Sequence, residues 1–139
     1  MLPLVVKGKF PVNTASSWFL IVNGFVFIIF FGIPLFFCPL VWARRIGWKI
    51  PVDTDLISYL GRSLGALALP LIVYLFIAAI DPWHYRIIFD LLIAIGALLF
   101  WVHLYGFIKK VQPLLEHIEI ILYGVNTLLA WLLYPQPPV

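Results

Sequence analysis

The most constraining feature of the chain is the run from Trp18 to Cys38, WFLIVNGFVFIIFFGIPLFFC, which holds 21 residues without one charge. At a rise of about 1.5 Å per residue, a helix of this length crosses roughly 30 Å, the hydrocarbon thickness of a bilayer. Only 11% of the 139 residues are charged and 64% are hydrophobic, whereas soluble domains carry about 25% charged residues. A soluble core of this size cannot hide so much apolar surface; a bilayer can. In lipid the protein must satisfy its own backbone N–H and C=O groups, and an unbroken apolar run of this length does so as a helix, so the expected class is an all-α integral membrane protein. The run is too long for the apolar region of a signal peptide, and the following Cys-Pro-Leu-Val lacks a small-x-small cleavage site. It reads as a retained helix.

Three further apolar segments follow, at about 56–80, 83–108 and 113–134. With 18–38 they predict four transmembrane helices in an antiparallel bundle, between a tail (1–17) and a Pro-rich end (135–139). Asn13-Thr14 or Ser16-Ser17 is expected to cap the first helix, and Asp53-Thr54-Asp55 the second. Pro34 and Pro70 should bend their helices, and Pro113 suits a first helical turn. The 39–55 linker interleaves Trp42, Arg44, Arg45, Trp48 and Lys49, a pattern suited to a segment lying among lipid headgroups. Lys/Arg counting sets Arg44, Arg45, Lys49, Lys109 and Lys110 against Lys7, Lys9 and Arg86. That bias places the 39–55 and 109–112 loops in the cytoplasm and both termini outside, as in a multi-pass protein of a bacterial inner membrane. The aromatic belts agree: Trp18, Trp83, Tyr85, Trp131 and Tyr134 fall at one interface, and Trp42, Trp48, Tyr59 and Tyr105 at the other.

Ionisable residues inside a span are costly and are the first place to look for function. Arg62, His103, Glu116, His117 and Glu119 all lie roughly 3–9 Å below the same interface at the helical rise. At 100° per residue, Glu116, Glu119, Tyr123, Asn126 and Ala130 share one stripe, with His117 about 160° from Glu119. Gly96, Phe100, His103 and Phe107 share another, as do Ser58, Arg62, Gly65 and Ala66. The simplest arrangement points Arg62 at the glutamates, with His103 nearby, as an ion pair that fixes helix register or as a proton or ligand site. Asp90 lies nearer the opposite interface, with Arg86 one turn earlier as its expected partner.

His103 and His117 lie at nearly equal depth and suggest ligation of a haem or a chlorophyll-type pigment. Adjacent helices are normally about 8–10 Å apart, which leaves little room for a macrocycle. No metal site is expected, because Glu116-His117-x-Glu119 does not face one side. Gly61, Gly65 and Ala68 form a small-residue face that permits close helix approach. The single cysteine, Cys38, excludes an internal disulfide. No phosphate loop, HExxH or Ser/His/Asp arrangement is present, and the scattered basic residues give no nucleic-acid footprint.

Gly61, Arg62, Gly65 and Ala66, then an apolar stretch, Ala78-Ala79-x-Asp81-Pro82 and a helix ending near His103, resemble the small four-helix DoxX-like membrane proteins. The resemblance spans Gly61 to Ile108 and implies a small membrane subunit of a quinone-linked oxidoreductase; it transfers no catalytic residue. The leading expectation is a non-catalytic subunit packed among lipid and other integral membrane subunits of a respiratory or photosynthetic (electron-transport) complex. The alternatives are a haem-, chlorophyll- or quinone-binding protein using His103 and His117, and a small transporter with an Arg62/Glu116/Glu119 site.

Overall fold

The computed structural model describes residues 14–137, and every regular element among them is helical. Lys7, Lys9 and Asn13 of the tail lie outside the described residues.

Helix α1 (Ala15–Phe27) starts three residues before the expected Trp18. Thr14 is its cap: the hydroxyl accepts the Ser17 N–H at 3.1 Å, satisfying one of the donors that a helix start leaves free. The bend expected at Pro34 takes the form of a π-helical turn, Ile28–Gly32, followed by α2 (Ile33–Phe37). Proline has no N–H to offer the carbonyl four residues earlier, that of Phe30. Trp42 fills the gap, donating its Nε1–H to the Phe30 carbonyl at 2.7 Å.

Trp42 belongs to α3 (Pro39–Arg45), which occupies the first half of the expected interfacial linker and exposes Arg44 and Arg45 in its last turn. Gly47, at φ +99°, ends it. The Gly47 N–H donates to the Arg44 carbonyl and the Trp48 N–H to the Ala43 carbonyl, at 3.1 and 3.0 Å. This pairing requires a left-handed residue, which glycine adopts without a Cβ penalty. The reversal turns Trp48 back toward the helices.

The remaining elements are α4 (Asp55–Ala78), α5 (Ile87–Lys109) and α6 (Glu116–Leu132). Helix α4 continues as one helix through Pro70. Helix α5 starts four residues later than Trp83, because the Asp81 carboxylate accepts the His84 N–H at 3.0 Å and holds the 83–86 stretch as a turn. Helix α6 starts at Glu116 and not at Pro113, whose carbonyl accepts the Glu116 N–H at 3.1 Å in a preceding turn. Three helices are long and apolar enough to cross a membrane: Ala15–Phe37, Asp55–Ala78 and Ile87–Lys109. Helix α6, at 17 residues, is about 26 Å long at the helical rise and falls short of them.

The helices pack as two pairs. In one, α4 lies against α1, the π turn and α2. Close approach there depends on Gly65 and Gly61, where an added Cβ would come within 2.5 Å of the Phe36 backbone nitrogen and 2.6 Å of the Pro39 Cβ. In the other, α5 and α6 form a hairpin around Lys110 (φ 54°), and their residues meet in reverse order. Gly96 faces Thr127, Phe100 faces Gly124, and Asp90 accepts the Tyr134 hydroxyl at 2.9 Å. The expected Arg86–Asp90 pair is not made among the described residues; the Arg86 guanidinium lies 4.7 Å above the Trp83 ring instead.

One core cluster joins the pairs. Phe19, Leu20, Leu75, Ala78, Ala79, Ile88, Phe89, Leu92 and Ala130 pack near the α4–α5 connection. Away from it α4 and α5 scarcely touch, so the pairs part toward the opposite end. The outward faces are apolar, with Leu67, Leu98 and Ile121 among the many exposed large side chains. Such a surface suits contact with a lipid bilayer.

Candidate functional site

Where the two pairs part, they border a half-open cavity of about 440 Å³. Phe27, Phe31, Leu64, Leu71, Leu99 and Val102 are among its apolar walls, while His103, Glu116, Glu119, Tyr123 and Asn126 bring polar atoms to it. All five polar residues come from α5 and α6. Size and lining match a small-molecule site, mostly apolar with a few convergent polar groups.

The polar end is built by helical spacing. Glu116, Tyr123, Asn126 and Ala130 are the buried residues of α6, so the inferred 3-4-3-4 stripe is the face turned toward α5. His103 sits opposite its first turns. The imidazole Nδ1 lies 3.1 Å from a Glu116 carboxylate oxygen and Nε2 lies 3.3 Å from a Glu119 oxygen. The Tyr123 ring stacks on the imidazole with centroids 5.2 Å apart. Trp48 donates its indole N–H to the other Glu116 oxygen at 2.6 Å, which makes this residue more than the headgroup anchor expected of it. Glu116 is 4% exposed, so this charge-assisted bond and the imidazole hold its carboxylate in place.

Two polar groups here are not satisfied by the protein. His103 Nδ1 is buried without a hydrogen bond; the Glu116 oxygen is close to it but poorly aligned. Asn126 is 8% exposed, and its side chain makes no hydrogen bond among the described residues. The other buried amide, Asn23, donates to the Phe19 carbonyl at 2.9 Å. Buried polar groups are nearly always paired, so the imidazole nitrogen calls for an explanation, while the Asn126 amide, whose atoms stay accessible, is free to bond a molecule in the cavity.

The placement of the remaining candidates differs from the expected polar layer. Arg62 is exposed and takes part in no ion pair among the described residues. It adjoins Gly61 on α4 and lies about 200° around the helix from Leu64, which lines the cavity with the glutamates, so it sits on the far side of α4 from them. His103 takes the place expected of it. His117 packs edge-on against Phe107, with ring centroids 4.7 Å apart, and does not join His103 on one ligand. Both nitrogens of His103 face carboxylates, an arrangement with no open axial direction for a macrocycle. Ala68 lines the cavity, whereas Lys49 and Trp48 line a smaller one of about 360 Å³ beside it, which also touches Glu116. Trp48, expected only as an interfacial anchor, and Tyr123 and Asn126, placed on the glutamate stripe but not in the polar layer, are the site residues whose role sequence reasoning left out. Asn126 was legible on the glutamate stripe, but nothing in the sequence revealed the turn at Gly47 that aims Trp48 inward.

No family model, no curated protein and no solved structure matches the chain.

Proposed function

We propose that the chain is a multi-pass membrane protein that binds an elongated, largely apolar molecule with one hydrogen-bonding head. The acyl-lipid and quinone classes fit that description. The observation that carries this reading is Asn126, an amide without a protein partner among the described residues, which lines the mostly apolar cavity. A ligand head satisfies that amide, and its chain fills the space between the helix pairs. In this reading the turn at 113–115 and residues 133–134 extend α6 into a fourth crossing. The basic loops at 39–55 and 109–112 face the cytoplasm, with both termini outside. Membership of a respiratory or photosynthetic complex as a non-catalytic subunit would draw on the outward aromatic surface. Lipid satisfies that surface equally well, so the interior cavity supports ligand binding more specifically.

The test is native mass spectrometry of the protein extracted from its own membrane in mild detergent, followed by solvent extraction of bound molecules. One defined apolar species per chain is expected, and Leu99→Trp, which places a larger ring in the cavity wall, should lower its occupancy. Bound material with the composition of the bulk membrane, unchanged in Leu99→Trp, would refute ligand binding. Co-migration with other integral proteins would support the subunit role.

A further inference from the structure

His103, Glu116 and Glu119 pose a charge problem that the cavity's ligand does not solve. With both ionised, the two carboxylates would carry −2 between them, in side chains that are 5% and 13% exposed. The only ionisable base at ion-pair distance among the described residues is His103 itself, which would then leave at least −1 at the edge of an apolar cavity. Arg62 is exposed elsewhere. Lys49 borders the neighbouring cavity with Glu116 but makes no ion pair with it among the described residues. Isolated buried charge is expensive, more so within a membrane.

We infer that these three side chains form a binding site for one divalent first-row transition ion. Each offers one donor, an imidazole nitrogen or a carboxylate oxygen, and the three atoms lie within 4.8 Å of one another. Bonds of about 2.0–2.2 Å place opposite donors about 4.4 Å apart, so only a small inward side-chain shift is required. Two carboxylates and a neutral imidazole sum to zero with a divalent cation. One nitrogen and two oxygens suit manganese, iron or zinc better than a soft ion such as Cu(I) or the all-oxygen shells of calcium and magnesium.

Two observations besides the cluster point to a ligand. His103 Nδ1 is buried and unbonded although an oxygen stands 3.1 Å away, a separation that fits two adjacent donors to one ion lying to the side of both. Asn126, without a protein partner among the described residues, lines the same cavity about two helical turns farther along α6, so the space beside the cluster already holds a group open to a bound molecule. Trp48 occupies the second oxygen of Glu116 and orients it as an outer-shell donor does. An ion here would keep coordination positions free toward the cavity, about two helical turns along α6 from Asn126.

The experiment uses the tag-free full chain in mild detergent, stripped with a chelator that is then removed, and titrated with Mn²⁺ or Zn²⁺ alone. Calorimetry should give one Zn²⁺ per chain, weakened about 100-fold or more by His103→Gln or Glu119→Gln, since outer-shell changes alone cost about 10–100-fold. Pulsed EPR of bound Mn²⁺ should show a directly coordinated imidazole nitrogen. That signal should persist in His84→Gln/His117→Gln, where His103 is the only imidazole left and no cluster residue has changed. Absence of stoichiometric binding, loss of the nitrogen coupling in that variant, or affinity unchanged by Glu119→Gln would each overturn the site. Because the probe is the metal alone, this result is independent of whether an apolar molecule is found in the cavity.

Discussion

Replacing Gly65 with alanine probes how the first helix pair is held together and, through it, the cavity. The added Cβ would lie 2.5 Å from the Phe36 backbone nitrogen, 2.8 Å from its Cα and 2.9 Å from its Cβ. Comfortable separations between such atoms are about 3.5–4.0 Å, so α4 and α2 must part by about 1 Å. No rotamer relieves this, because two of the three obstructing atoms are backbone. Overpacking of this kind costs about 1–3 kcal/mol, and no hydrophobic force between helices in lipid compensates for lost contact. For a chain of this size each kilocalorie corresponds to roughly 2–4 °C of melting temperature. Gly65→Ala should therefore melt several degrees below wild type in detergent. Gly124→Ala is the control: its Cβ would meet only the Phe100 ring, at 3.3 Å, and that ring has room to tilt. Because Leu35 on α2 lines the cavity, Gly65→Ala should also lower occupancy of the bound apolar molecule. Equal melting of Gly65→Ala and wild type would refute the close approach of α2 and α4.

Trp42→Phe keeps an aromatic ring but removes the donor to the Phe30 carbonyl; a net hydrogen bond contributes about 0.5–1.5 kcal/mol, so thermal unfolding should shift down by a few degrees. Trp48→Phe removes the donor to Glu116 and, as a bond to a carboxylate, should cost about 1.5–3 kcal/mol, read from the same melting curves. Arg62→Ala should change stability by no more than about 0.5 kcal/mol, because the side chain is exposed and unpaired; a large loss would restore the expected pairing with the glutamates. Tyr134→Phe removes a bond to Asp90 across the α5–α6 hairpin and should accelerate hydrogen exchange in the final turn of α6.

Much of this molecule is local and therefore readable in one dimension. Long uncharged runs dictate helices because lipid leaves the backbone no other partner. The 3-4-3-4 spacing on α6 places Glu116, Tyr123, Asn126 and Ala130 on one face whatever that face meets, and those four are its buried residues. Pro34 marked where a helix irregularity was expected; the π turn there, and the indole of Trp42 that bonds the freed Phe30 carbonyl, appear only in the folded chain. Facing across helices is a different matter. The rotation of α4 about its axis was set by Gly65 meeting Phe36 and Gly61 meeting Pro39, and that rotation carried Arg62 away from the glutamates. His103 and His117 had equal depth in the sequence but different neighbours in space, a carboxylate pair for one and Phe107 for the other. The cavity itself has no sequence signature, because it is the space left where two helix pairs are joined at one end and held apart at the other. Composition and periodicity determined which side chains would be buried; packing between distant segments decided what each of them would touch.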